Sequence, residues 1–163
     1  MNYWFWIAKS DAFIGEEGEE DLYWGDCGEK VEPGDLALIY RRSPYNMPSY
    51  DREKYSLIEC LVRVKSFPED DCEISTRKGE PKTGHCCDYE VLHKFENKLK
   101  YKEMIFYRDE RKTALTDWSA LKKNLRGMWH PVDEDSWNKL DELLKEKNED
   151  TYHGFKKVDE NCK

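Results

Sequence analysis

A chain of 163 residues, 38% of them charged and 38% hydrophobic, has the length of one domain and is polar for its size. Its 6 Trp, 10 Tyr and 6 Phe exclude a disordered composition, because they supply the bulky apolar mass such sequences lack. No apolar run approaches the roughly 18 residues of a membrane helix, and no basic region precedes the first one, so the expectation is a soluble, cytoplasmic, unsecreted protein.

The formal net charge of −8 argues against a protein that tracks nucleic-acid phosphates, since such proteins are usually basic. Its distribution is uneven. Residues 1–35 carry 2 basic against 10 acidic side chains and residues 131–163 carry 6 against 10, whereas residues 36–130 carry 19 against 15. The middle is mildly basic, with Arg41, Arg42, Arg77, Lys78 and Lys82 near turn-like sequence.

In chain order, Tyr3 to Lys9 mixes aromatic and β-branched residues and predicts a buried first strand. Ser10 to Glu32 is acidic and glycine-punctuated, a connection interrupted by the aromatic pair Tyr23-Trp24. The Pro33-Gly34 step predicts a turn, because proline presets one dihedral and glycine accepts the positive φ that follows. Leu36 to Tyr40 is the second strand. Arg41 to Lys54 is an exposed loop, Tyr55 to Val64 a central third strand, and 67–85 a second long loop. Strands are expected at 87–95 and 98–106. The period then changes: Leu115, Trp118, Leu121 and Leu125 predict one helix, and Trp137, Leu140 and Leu144, capped by Asp133, predict another. From about Lys147 the pattern fades into a charged tail. The layout is α+β, with a curved mixed sheet or small barrel.

Six cysteines without the regular spacing of a disulfide framework predict reduced thiols. Cys72, His85, Cys86 and Cys87 suggest zinc by composition, yet none supplies the paired C-x₂₋₄-C spacing of such sites, so no metal and no cofactor are assigned. The motifs of nucleophilic, phosphate-binding, dinucleotide-binding and zinc-hydrolytic enzymes are absent, and the four histidines are scattered, so no catalytic residue is assigned.

What remains is aromatic and basic chemistry at strand ends. Trp6, Lys9 and Ser10 close the first strand, Trp24-Gly25 follows, and Tyr40-Arg41-Arg42 closes the second. If these strands are neighbours, their ends bring aromatic faces and guanidinium groups into one cleft suited to a base beside a phosphate. The same tryptophans equally suit a hydrophobic core.

Trp-Ile-Ala-Lys-Ser at 6–10, Tyr-Trp-Gly at 23–25, the run from Val31 to Tyr40 that contains Pro33-Gly34-Asp35, and the run from Ile58 to Ser66 resemble the EVE domain of the PUA-like superfamily. The segment from Gly127 to Leu140 is similar to the closing turn and helix of these domains, so the resemblance spans about residues 3–145. The lysine-serine pair followed by a tryptophan is shared with the related YTH domain. This resemblance implies a bent barrel of five to six strands flanked by helices, forming one domain over 1–146 with 147–163 as tail or linker. It also implies a non-enzymatic module that binds DNA or RNA and accepts a modified, methylated base in an aromatic pocket. Such domains occur alone or with a restriction and ATPase module, as in proteins of the McrBC type. By resemblance Trp24 forms a pocket wall, with Trp6, Lys9, Ser10 and Tyr40 around it. Cys60 replaces a common glycine, and no tryptophan lies between Ser66 and Asp88, which leaves His85 or Tyr89 to complete the pocket. Arg41, Arg42, Arg77 and Lys78 are assigned to the nucleic-acid backbone from charge. The alternative is a PUA-like module for a small molecule or protein, without nucleic acid.

Overall fold

Aromatic and β-branched side chains fit a pleated, half-buried surface, and in this chain they build a sheet. The computed structural model describes residues 1–9, 12–23, 25–42, 57–75, 81–100, 103 and 129–161. Among these, β1 spans Tyr3–Ala8, β2 Glu20–Tyr23, β3 Leu36–Arg41, β4 Leu57–Val64, β5 Glu69–Ser75, β6 Pro81–Lys100 and β7 Trp129–Val132. Helices α1, Glu134–Lys147, and α2, Phe155–Asn161, follow. The strand order is β2-β6-β4-β3-β1-β7, with β5 paired to β6. The result is a curved mixed α+β sheet of seven strands, rather than the five to six expected. Among the described strands only β1 and β3 pair in parallel.

Strict alternation along β1 sends its residues to two cores. Phe5 and Ile7 join Leu38, Tyr40, Ile58, Leu61 and Phe95 beneath the helices. Trp4, Trp6 and Ala8 join Ile39, Cys60, Val62, Tyr89 and Val91 on the opposite face, where Ile14, Tyr23, Cys27 and Val31 of the connecting chain cover them.

The helical period at Trp137, Leu140 and Leu144 correctly places α1, and all three are buried. Asp133 caps it as expected: its carboxylate accepts from Ser136 N at 2.8 Å and Ser136 Oγ at 2.9 Å. At the other end Asn148 N–H donates to the Leu144 and Lys145 carbonyls. Its side chain accepts from Asn97 N at 2.8 Å and donates to the Asn97 and Leu144 carbonyls at 2.9 and 3.0 Å. A buried amide is thereby satisfied while it ties the helix to β6.

Three expectations need correction. At its described residues the stretch 67–85 is not one loop: it contains β5 and the start of β6, and the candidate at 87–95 and residues 98–100 of the candidate at 98–106 belong to that one long strand, whereas Glu103 is helical. The sequence conceals β5 because Ile74 is its one buried hydrophobic residue, so no alternation is available to read. Residues from 147 are not a loose tail either. Tyr152 and Phe155 are buried in the helix-side core, Tyr152 Oη donates to Asp141 Oδ1 at 2.5 Å, and Asp159 of α2 pairs with Arg63 of β4. Finally, Cys72 and Cys86 form a disulfide, while Cys27, Cys60 and Cys87 are free and buried. The helix expected at 115–125 lies outside the described residues. No helix among the described residues is long and apolar enough to cross a membrane.

Candidate nucleic-acid interface

The sequence reading required the ends of its first two strands to be neighbours, and they are: β1 and β3 run parallel, with Ala8 opposite Arg41. Their carboxyl ends therefore open side by side. Arg42 N donates to Ala8 O at 2.8 Å, which extends the pairing one residue past β3 and sets Arg42 beside Lys9.

Arg41 is consumed by the fold. Its Nε and Nη2 each lie 2.7 Å from Glu59 Oε2 on β4, and its Nη1 donates to Lys9 O at 3.2 Å and Ala12 O at 2.8 Å. A guanidinium whose fork is engaged in this way holds Lys9 close to Ala12, whose N also donates to Lys9 O at 3.1 Å. The structure thus gives Arg41, expected at a phosphate, a positioning role between β3, β4 and the chain at Lys9 and Ala12.

The aromatic residues are also sorted by the pleat. Trp6 is completely buried, with the Tyr23 ring stacked on it at 4.4 Å and 14° and the Tyr89 edge at 6.3 Å. Tyr23 Oη donates to Ile7 O at 2.7 Å, so this ring is fixed to β1 and forms a lid over Trp6. Burial, followed by the nearby Cys27 and Cys87, raises the Tyr23 phenol well above its ordinary range, and it stays a neutral donor. Trp6 and Tyr89 are thus the floor beneath Tyr23 rather than open pocket walls. Tyr40 projects from the other face of the sheet and packs 5.4 Å from Phe5. The structure does not bring it together with Trp6, because their strand positions differ in parity.

His85 anchors a loop. Its Nδ1 lies 3.3 Å from Asp26 Oδ1 and its Nε2 3.2 Å from Asp70 Oδ1. Its backbone N donates to Asp26 Oδ1 at 3.3 Å, and its carbonyl accepts from Cys27 N at 2.9 Å. Asp26 Oδ1 also receives Gly28 N at 3.0 Å. Gly28 sits at φ +90°, and a β-carbon there would lie 2.8 Å from the Trp129 ring, so only glycine permits this close approach. Residues 25–28, which directly follow Trp24, are held to β6 through this residue pair. Trp24, Ser10, Arg77 and Lys78 lie outside the described residues.

The arrangement is the adjacent strand ends at Lys9 and Arg42, a fixed and buried aromatic stack of Tyr23 on Trp6, and a loop docked by Asp26 and His85. Sequence reasoning missed Tyr23, Asp26 and Glu59. The clue available for the first was its place in an aromatic pair within glycine-rich sequence. Asp26 and Glu59 gave no clue, since carboxylates are abundant throughout the chain.

No protein-family model matches the chain, and no curated protein matches it in sequence. Solved structures do match. Human THYN1 protein in complex with 5-methylcytosine containing DNA superposes with a TM-score of 0.65 and 11% identity, covering 89% of this chain and 98% of that one. The DUF55 domain of human thymocyte nuclear protein 1 gives 0.63 at 13% identity, covering 88% and 99%. A protein from Pseudomonas putida gives 0.61 at 15%, covering 87% and 99%. At these identities the likeness is one of fold: the chain has the fold of the THYN1 and DUF55 domain structures.

Proposed function

We propose that this chain is a non-enzymatic DNA-binding domain that accepts a methylated base at the carboxyl ends of β1 and β3. The observation that carries the reading is the THYN1 structure, in which a domain of this fold over nearly its whole length is bound to DNA containing 5-methylcytosine. The local geometry supports it: Lys9 and Arg42 follow the ends of β1 and β3 side by side, and the buried Tyr23–Trp6 stack is fixed to β1. In this reading Trp24, next to Tyr23, supplies the stacking face for a base taken out of the duplex. Stacking of about 1–3 kcal/mol per base offsets part of the unstacking cost of a few kcal/mol. Lys9 and Arg42 hold the flanking phosphates, and the −8 charge keeps the number of such contacts small.

Binding rather than catalysis also fits the thiols. Burial raises Cys60 well above the usual thiol range, and a hydrogen bond with Cys27 followed by burial does the same for Cys87, so neither is a poised nucleophile.

Binding to matched oligonucleotides carrying 5-methylcytosine, 5-hydroxymethylcytosine, N6-methyladenine or no modification tests the reading. Single- and double-stranded forms are used, as DNA and as RNA. Preference for one modified DNA, lost in Trp24→Ala, is the expected result. Equal failure on every oligonucleotide at low salt would overturn it in favour of a small-molecule or protein ligand. A preference confined to RNA would retain the pocket and change the polymer. A companion restriction or ATPase module belongs to the same proposal, and DNA-dependent nucleotide hydrolysis in a reconstituted mixture tests it.

A further inference from the structure

The β5–β6 hairpin carries a group of donors that the base-binding reading does not use. Glu69, Cys72 and Cys86 place one carboxylate oxygen and two Sγ atoms within 4.8 Å of one another. This convergence depends on an irregularity in β5. Along a regular strand, residues 69 and 72 would point to opposite faces. Here Glu69 pairs with Cys86 and Cys72 with Gly84, so three steps on β5 match two on β6. The extra residue is a bulge, with Asp71 at φ 59°, and it turns Cys72 to the side of Glu69. The Cα atoms of Cys72 and Cys86 are then 6.0 Å apart, within the range of a disulfide.

We propose that reduction of this disulfide opens a binding site for one thiophilic divalent cation, of the zinc or cadmium class, ligated by Cys72, Cys86 and Glu69. Two thiolates and a carboxylate form the borderline-soft set that such ions select over magnesium or calcium. Glu69 is exposed and Cys72 half-buried, so a small reductant and a cation would approach from their side. The conversion balances as follows. Two equivalents of a small thiol attack in turn, the Cys72–Cys86 S–S bond breaks, a disulfide of the small thiol forms, and the protein gains two S–H groups. Binding the cation then releases two protons to water. The same sulfur atoms serve both states, so disulfide and metal exclude each other.

Either state clamps the hairpin next to His85, whose ring and backbone hold the loop that follows Trp24. The site is independent of the base-binding proposal. The second close cysteine pair, Cys27 with Cys87, is buried and free, and among the described residues it forms no such group with a carboxylate; it serves as the internal control.

The test is anaerobic titration of the full chain with cadmium after reduction by a phosphine, reading thiolate-to-metal charge-transfer absorbance. One equivalent is expected to bind reduced protein and none to bind oxidised protein. Bound cadmium is also expected to protect Cys72 from alkylation, as read by peptide mass mapping. Cys72→Ser should abolish the band, the exposed change Glu69→Gln should weaken binding on the order of tenfold or more, and Cys27→Ala should leave it intact. A band that survives Cys72→Ser, disappears in Cys27→Ala, or appears equally in oxidised protein would overturn the proposal.

Discussion

The two faces of the sheet are covered by different means. One is sealed by α1 and α2, whose apolar side chains meet Phe5, Ile7, Leu61 and Phe95 in a continuous core. The other is covered by the connection between β1 and β3, whose described residues form the short strand β2 and otherwise irregular chain, with polar side chains as fastenings: Arg41 to Lys9 and Ala12, Asp26 to Gly28 and to His85 of β6, and Asp35 to Glu32. A helix satisfies its own backbone and needs only an apolar stripe, whereas irregular chain must find a partner for each buried N–H and C=O group. The loop-covered face is therefore where carboxylates and guanidinium groups are needed, and where strand ends stay accessible between the fastenings. It is also the face on which the proposed function places the base.

Removing apolar bulk should hurt the helix face most. Trp137 is buried, stacks on Tyr3 at 4.7 Å and 16°, and meets the Phe155 edge at 5.8 Å. Trp137→Ala should cost about 3–5 kcal/mol, read as a lowered midpoint in urea unfolding. The fraction that remains folded should retain its ligand preference, since the loop-covered face is untouched.

On the opposite face the vulnerable group is polar. Asp35 is buried and accepts from Asn2 N at 2.9 Å, Trp4 Nε1 at 2.9 Å and Glu32 N at 3.0 Å. Asp35→Ala strands these donors and should cost about 1–3 kcal/mol, less than Trp137→Ala, with a shift in tryptophan emission from Trp4. Emission and stability unchanged together would mean that this face is not held by its polar fastenings.

This difference also explains what the amino-acid sequence disclosed. The helix face follows a periodic rule, so the cap at Asp133 and the stripe Trp137, Leu140 and Leu144 were readable from spacing, as were β1, β3 and β4 from their apolar runs. The tail was misread because its two anchors, Tyr152 and Phe155, are too few to show a period. The loop-covered face follows no period. Which carboxylate among 35 acidic residues meets Arg41 depends on the β3–β4 register, and which tyrosine lies over Trp6 depends on where β2 meets β6. Motif resemblance named these aromatic residues together, and three-dimensional placement was needed to separate Trp6 and Tyr89, buried beneath Tyr23, from Tyr40 on the far side.

Adjacent arginines provide a finer contrast. Arg41→Ala should lower stability by about 1 kcal/mol, because its ion pair with Glu59 is partly exposed and its hydrogen bonds supply most of the effect. It should leave the salt dependence of DNA binding unchanged. If Arg42 meets phosphate, Arg42→Ala should flatten the slope of log affinity against log salt by about one unit, measured by fluorescence anisotropy across a salt series. The opposite assignment, with Arg41 setting the slope, would mean that its contacts to Lys9 and Ala12 open when DNA binds.

The smallest expected effect sharpens the view of the helix face as an apolar cover. His93 lies there, 5.2 Å from the Phe95 ring and 5.0 Å from Tyr152, with Nδ1 3.6 Å from Glu17 Oε1. Burial lowers its pKa below the ordinary value of 6.5, and Glu17 opposes that shift without cancelling it. The folded chain therefore binds fewer protons at this site than the unfolded chain in the window just below 6.5. Stability is fully present above that value and falls as acidity carries the chain through the lowered folded pKa. Wild type should lose stability to His93→Gln on this limb alone, a difference read by urea midpoints compared between neutral and mildly acidic pH. Glu17→Gln should steepen the wild-type loss, because it removes the one charge that favours the imidazolium. A parallel decline in the His93→Gln variant would place the acid sensitivity elsewhere and show that Glu17, from the loop-covered connection, matches the burial cost of the ring.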